Sequence, residues 1–343
     1  MYRLHGQVQH YPWGDKYFIP RWLGTTVDGA PWAELWFGTH PNGPANATEM
    51  GAPGKGNNKS VPLASVVGEL PYLVKILATN APLSLQTHPS AEQAREGYAR
   101  ETADGTPAEK RNYSDPNAKP EILCAITRFE ALCGFRSAHE LHGDWVRRGW
   151  HELASDLEHR GLREFIVASL KGEIFAPKFN LPSWADVVVR RHPNDPALAV
   201  ALCMNHVVLE PGDAIFLAAG SLHAYLDGAG VEVMGASDNV IRAGFTGKHV
   251  DINELLRIVN LDAAPTVIRA SADSRFVYDV DCNMFELTAH SFTENAIIQA
   301  GDSMTMVVGT DVKGDSIRTG EVILLQPGEM MRINGSGVVH VVR

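Results

Sequence analysis

The sequence predicts a mainly β chain: two barrel or jelly-roll units with a small helical domain inserted. Three observations carry this expectation. Short runs of β-branched and large apolar residues, punctuated by Pro, Gly and Asn, occupy 71–127 and return from 200 onward. Helical spacing of apolar residues is concentrated in 137–189. From 275 to 343, closely spaced short strands alternate with Gly-containing turns, which suits a sandwich or barrel.

Taken in order, residues 1–60 are rich in Gly, Pro and Trp and carry little helical periodicity. The stretch Gly54-Lys55-Gly56-Asn57-Asn58-Lys59-Ser60 lacks the spacing of a phosphate loop and reads as a surface loop. Leu73-Val74-Lys75-Ile76-Leu77 and Leu83-Ser84-Leu85-Gln86 read as strands. The polar stretch 91–117 reads as a mobile loop with some helix, and 121–127 as a buried strand. Ser137 followed by Glu140 is a capping box, and 138–155 and 161–170 have helical spacing. The expected division is 1–136 with 190–260 as one unit, 137–189 as the helical domain, and 261–343 as the second β unit.

A chain of 343 residues with 45% hydrophobic and 20% charged residues has ample material for a core. Its net charge of −10 argues against nucleic acid and anionic membrane surfaces as partners. An anionic substrate would need basic side chains gathered locally. Cys124, Cys133, Cys203 and Cys282 form no C-x-x-C pair, so neither a disulfide framework nor a Cys-type zinc site is expected. No leader-like segment opens the sequence and no apolar run approaches the roughly 20 residues of a membrane span. The expectation is a cytoplasmic protein, monomeric or weakly oligomeric.

Three segments carry the candidate metal chemistry. In Leu83-Ser84-Leu85-Gln86-Thr87-His88-Pro89, residues two apart share a strand face, so Ser84, Gln86 and His88 project together. That face serves a metal or is simply exposed. In Lys119-Pro120-Glu121-Ile122-Leu123, one carboxylate opens an apolar strand and needs a cation, a basic neighbour or solvent. In Gly220-Ser221-Leu222-His223-Ala224-Tyr225, a histidine follows a turn, as a ligand or as a core residue. Together Gln86, His88, Glu121 and His223 offer two nitrogen and two oxygen ligands, a set that suits one Zn²⁺ per chain.

A fourth segment, 232–248, holds Glu232, Asp238, Arg242 and Lys248 around an Ala-Ser-Asp-Asn turn. It is either a catalytic segment or a loop held by an Asp238–Arg242 pair. A weak internal repeat adds to the pattern. Leu209-Glu210-Pro211-Gly212-Asp213 leads to His223, and Leu325-Gln326-Pro327-Gly328-Glu329 leads to His340. Cupin barrels place a Pro-Gly-acid turn ahead of a metal-ligand histidine, so the second copy reads as a barrel without a metal.

These segments resemble the signatures of type I phosphomannose isomerases: L-S-I-Q-x-H-P, N-H-K-P-E, H-A-Y and S-D-N-V-x-R-A-G-L-T-x-K. Tyr11-Pro12-Trp13-Gly14 and the stretch from Ala33 to Pro41 resemble the family's opening motifs. The match runs over 10–260 in the family's order, and the last third resembles the family only in its β-rich character. The resemblance implies a catalytic cupin domain, a helical domain that is short for the family, and a C-terminal cupin-like domain. It implies zinc held by Gln86, His88, Glu121 and His223, and interconversion of mannose 6-phosphate with fructose 6-phosphate. Arg242 matches the family's active-site arginine, and Asp238 and Lys119 match residues proposed to act beside it. Where the family has N-H-K-P-E, this chain reads Asn117-Ala118-Lys119-Pro120-Glu121, with Ala118 in place of a histidine.

Aldose–ketose isomerisation through an enediol needs a base for the carbon-bound proton and a cation for the developing charge. The candidates are Asp238 and Glu232 as base, Lys119 as acid, Arg242 as cation, and Ser84, Lys75, Lys248 and Tyr225 for the substrate and its phosphate. Two rivals remain at this level: an isomerase of a different sugar, phosphorylated or free, and a non-catalytic sugar-binding cupin.

Overall fold

The computed structural model describes residues 1–51, 59–314 and 316–343. Most of the loop expected over 54–60 lies outside the described residues, and Ser60 opens a short strand, Ser60–Pro62. The chain is mainly β. Among the described residues, its strands form two antiparallel sheets, of eleven and nine strands.

The eleven-stranded sheet is organised by His223–Gly235, a strand of thirteen residues that changes partners along its length. Its first half pairs with Leu85–Thr87 and Phe129–Phe135. Its second half pairs with Tyr72–Thr79 and Glu121–Ala125. The switch falls at a bulge between Tyr225 and Asp227, followed by Gly228 at φ 121°. Bulges bend a strand in this way, and a positive φ is cheapest for glycine.

The period of two then sorts side chains. Ala224 and Leu226 enter an apolar core shared with the helices, together with Leu85, Leu132, Ile241 and Ala243. Their neighbours His223, Tyr225, Gln86 and Arg242 take the opposite face. Farther along, Ile122, Cys124, Val231 and Val233 pack against Met306, Val308 and Leu324 of the second sheet. Glu121 and Glu232 therefore face away from that layer. Tyr72–Thr79 is buried at every position, which explains its unbroken apolar run around Lys75.

The helices follow local signals. Ser137 and Glu140 form the expected capping box, and Ala138–Arg147 is a helix. The helical run expected to 155 breaks at Gly149 (φ 80°), and a second helix, His151–Leu170, follows, with Gly161 non-helical inside it. Trp145 and Phe165 join the two at a ring separation of 5.5 Å. The 91–117 stretch, expected as a loop with some helix, holds more helix than that: Ala91–Ala103 is a thirteen-residue helix. Its capping box, Ser90 with Gln93, is as legible as the one at 137, but the polar composition hid it.

The nine-stranded sheet gathers Arg275–Val277, Leu287–Phe292, Thr305–Gly314, Val322–Leu325 and Met330–Val342. It also takes Tyr2–His5, which pairs with Val322–Leu325 on one side and Asn46–Glu49 on the other. The first strand of the chain thus lies in the sheet built from its last. The four cysteines are free. Among the described residues, no helix is long and apolar enough to cross a membrane.

Candidate metal centre and active site

Sheet register brings the candidate ligands together. Gln86 sits directly opposite His223 on one side and Arg242 on the other, so these three share a row and a face. Glu121 and His223 on separate strands and His88 just past the end of Leu85–Thr87 converge, with potential ligand atoms all within 4.8 Å of one another, and all three are buried. Ser84 donates its hydroxyl hydrogen to Gln86 Oε1 at 2.7 Å, which orients that amide.

The two imidazoles are held in one tautomer. His88 Nδ1 lies 2.7 Å from the Asn239 carbonyl oxygen, and His223 Nδ1 lies 3.0 Å from that of Ser221. A carbonyl only accepts, so each Nδ1 carries the proton and each Nε2 presents a lone pair. Neither Nε2 has a hydrogen-bond partner among the described residues. His88 Nε2 lies 3.3 Å from Glu121 Oε1, and His223 Nε2 lies 3.7 Å from Glu121 Oε2. Lone pairs directed at carboxylate oxygens in a buried site repel, unless a cation lies among them. This donor set fits a divalent metal.

The protonation states agree. Burial, aided by the charge of Lys119, pushes the pKa of His88 down. Burial and the neighbouring His88 push that of His223 down to about 4, so both rings are neutral at pH 7. Burial pushes Glu121 up, but the ammonium of Lys119 outweighs it and holds the carboxyl well below its usual range. Lys119 Nζ lies 3.0 Å from Glu121 Oε1.

Beside the metal ligands lies a buried charge cluster. Lys75 Nζ sits between Glu34 at 3.3 Å and Glu232 at 3.4 Å, and over the Trp36 ring at 5.0 Å. The two carboxylates outweigh burial and raise its pKa. Tyr225 donates to Glu232 at 3.0 Å. Burial pushes Glu232 up to about 7, against the pull of Lys75.

Arg242 and Lys248 contrast with Lys75. Neither has a carboxylate partner among the described residues. Burial lowers the pKa of both, and the charge of Arg242 lowers that of Lys248 further. Cations without an acid partner are available to an anion. The alternative of an Asp238–Arg242 pair is therefore corrected. Asp238 instead accepts from the Asn42 amide at 2.7 Å and lies 3.5 Å from His40 Nε2.

A model of the type I phosphomannose isomerase catalytic domain matches residues 1–138. The mannose-6-phosphate isomerase of Salmonella typhimurium is 32% identical over 369 aligned residues, covering 96% of this chain and 93% of the relative. That of Escherichia coli is 33% identical with the same coverage. The chain belongs to the type I phosphomannose isomerase family. The crystal structure of the S. typhimurium enzyme bound to fructose 6-phosphate and zinc matches with a TM-score of 0.82 at 27% identity, covering 100% of this chain and 98% of that one. A mannose 6-phosphate isomerase bound with zinc and yttrium matches equally well.

The phosphomannose isomerase signature segments surround the converging ligands. Sequence reasoning missed residues that the same segments contain. Glu34, Trp36 and His40 belong to the opening motif, yet only the pairing of Glu34–Phe37 with Tyr72–Thr79 reveals that Glu34 and Trp36 neighbour Lys75, with the His40 ring packed against Trp36 at 5.3 Å. Asn239 is fully buried. Its side chain bonds the backbone of Ser114, Asp115 and Asn117, and its own carbonyl orients His88. Ala118 is half-buried on the segment that Asn239 pins. A side chain at Gly235 would meet the Ala118 carbonyl, a Cβ there lying 2.7 Å from its oxygen, so glycine permits the close approach.

Proposed function

We propose that the chain is a zinc-dependent aldose–ketose isomerase that interconverts mannose 6-phosphate and fructose 6-phosphate through an enediol. The observation that carries this reading is the pair of buried imidazoles whose Nε2 lone pairs converge on Glu121 without a hydrogen-bond partner. Zinc would be held by His88, Glu121, His223 and Gln86, one ion per chain. When bound, it acts as a Lewis acid toward the sugar oxygens at C1 and C2.

The protein's own residues do the rest. Arg242 and Lys248 hold the phosphate, and Arg242 also counters the charge that develops on oxygen. Lys75 and Ser84, first considered for the phosphate, become supports: Lys75 is neutralised by Glu34 and Glu232, and Ser84 fixes Gln86. Asp238 takes the proton from one carbon and returns it to the next, since its Oδ1 is not engaged by any side chain among the described residues and His40 lies beside Oδ2. Glu232 has both oxygens occupied, by Tyr225 and Lys75, and maintains the site's charge balance while Tyr225 lines the sugar side. Lys119, beside Glu121, is the acid for the sugar oxygen.

The architecture that goes with this function is a pair of cupin-type barrels with an inserted helical domain. The proposed division is 1–136 with 190–260, 137–189 and 261–343, except that Tyr2–His5, Asn46–Glu49 and Ser60–Pro62 go with the last unit and Thr266–Ile268 goes with the first. A coupled turnover assay on mannose 6-phosphate, with metal content measured on the same sample, tests the reading. Zinc at about one per chain with no turnover on any aldose phosphate would leave only a binding protein. A specific observation, Ala118, favours one second reading: the same isomerisation on a different sugar. Turnover of another aldose at a higher kcat/KM would select it.

A further inference from the structure

A second cleft lies where the helical segment meets the catalytic sheet, with a volume of about 420 Å³. Its walls include Trp145, Trp150 and Trp184, three of the seven tryptophans of the chain, together with Arg136, Asp144 and Arg148. Trp145 and Trp150 belong to the apolar core beneath the cleft, and Trp184 packs against it from the open side. Trp184 is half-buried and tilted over His206 at 6.2 Å, so part of its ring meets solvent.

The guanidinium groups are only partly used. Arg136 donates through Nη1 to Asp144 Oδ2 at 3.2 Å, and Arg148 donates through Nε to the same oxygen at 3.1 Å. Arg148 Nη1 caps the Asn180 carbonyl at 2.9 Å and its guanidinium lies over Trp150 at 5.2 Å. Arg136 Nε and Nη2 and Arg148 Nη2 have no acceptor among the described residues. Arg147 adds a third cation at 3.6 Å from Asp144. One carboxylate therefore faces three guanidiniums, in a protein whose net charge is −10. A second sign of incompleteness is the Trp145 indole N–H, fully buried on the cleft wall and without a hydrogen-bond partner among the described residues.

We propose that this cleft is a second binding site, separate from the metal centre, for a phosphorylated ring compound, with the ring stacked on Trp184 and the phosphate on Arg136 and Arg148. Aromatic platforms bind the apolar faces of sugars and bases, and guanidinium forks match phosphate oxygens. The shared chemistry is a ring carrying a phosphate, from either a sugar phosphate or a nucleotide. The occupant would touch the catalytic strand indirectly. Arg136 directly follows Phe129–Phe135, whose Cys133 lies opposite His223.

The proposal stands apart from the isomerase reading and is tested without turnover. The zinc-loaded protein is prepared with 5-fluorotryptophan, and Trp184→Phe assigns the Trp184 fluorine resonance. Glucose 6-phosphate and adenosine monophosphate are titrated separately, with free glucose and inorganic phosphate as controls. The Trp184 resonance is expected to shift saturably with at least one phosphorylated ring, and with neither control alone. Arg148→Gln and Arg136→Gln are each expected to weaken that binding about tenfold or more, as for loss of a charged hydrogen bond, with unchanged thermal unfolding midpoints for at least one of them. A shift by glucose 6-phosphate alone assigns a sugar phosphate, and by adenosine monophosphate alone a nucleotide. A resonance unmoved by both compounds, or shifts equally strong in both arginine variants, overturns the site.

Discussion

His223 and His340 occupy echoed positions, each following a Pro-Gly-acid turn, and their surroundings decide what each can do. The turns are physically alike. Asp213 accepts from the Glu210 backbone N–H at 3.1 Å, and Glu329 accepts from that of Gln326 at 2.8 Å. Gly212 and Gly328 both take positive φ, 91° and 76°. Both imidazoles are buried, and burial pushes both pKa values down to about 4. His223 uses Nδ1 on a carbonyl and leaves Nε2 unpaired toward Glu121. His340 has Thr310 Oγ1 at 3.0 Å from Nδ1 and the Cys124 thiol at 3.2 Å from Nε2. A closed pair of hydrogen bonds makes a core residue, and an open lone pair beside a carboxylate makes a candidate ligand. The turn repeats, but the chemistry depends on partners that come from other strands.

The comparison breaks most visibly at the metal. His223→Ala and His88→Ala should each strip most of the metal and lower turnover by at least about 100-fold, beyond what loss of an orienting partner costs. His340→Ala should keep about one metal per chain. Metal analysis of the three variants decides it, and full occupancy in His223→Ala would end the ligand assignment.

Next comes the row of residues across the sheet. Arg242 shares it with Gln86 but ligates nothing, so Arg242→Ala should retain zinc and fold and lose kcat by about 10²–10³-fold, the scale for one transition-state donor. An unchanged kcat would reduce Arg242 to scaffolding.

Ala118 tests how complete the metal side is. Ala118→His should raise kcat on mannose 6-phosphate without changing zinc content, by a factor bounded by the roughly 10²–10⁴ of a general acid–base group. A lower or equal kcat, with rapid turnover by the unmodified protein, would mean that the missing histidine is no deficit.

The smallest effect concerns His340 itself. Its pKa is near 4 when folded and about 6.5 when unfolded, so the unfolded chain binds more protons between those values. Its contribution to stability is complete above pH 6.5 and declines as pH falls toward 4, by roughly 1.4 kcal/mol per pH unit at most. His340→Gln should therefore flatten the pH dependence of the unfolding free energy in that window relative to the unmodified zinc-loaded protein. Identical slopes would show that the ring is already protonated or exposed.

The convergence of His88, Glu121 and His223 was partly legible because the candidate ligands lie in short segments where local rules apply. Gln86 and His88 share a face by strand periodicity alone, and Glu121 stands out as a lone carboxylate opening an apolar strand. The β-rich character and the capping box at Ser137 were equally local. What escaped depends on register across the sheets. Lys75 reads as a free cation until Tyr72–Thr79 is laid between Glu34–Phe37 and His223–Gly235, which brings two carboxylates to it. The grouping of Tyr2–His5 with Val322–Leu325 is invisible to any window along the chain. The helix Ala91–Ala103 was read only in part, as some helix within a loop, since its cap could be read but its few apolar residues concealed the period.

The pairing of Tyr2–His5 with Val322–Leu325 also sets a schedule for biosynthesis. At about 5–20 residues per second, a ribosome takes roughly 16–64 s to travel from one partner to the other. Throughout that interval the leading strand has only Asn46–Glu49 to pair with, and one edge stays open. An open edge is a template for foreign strands. The nascent chain is thus exposed to misassociation until its final segment emerges, and any factor that shields the first residues during translation would raise the yield of folded protein without altering the finished molecule.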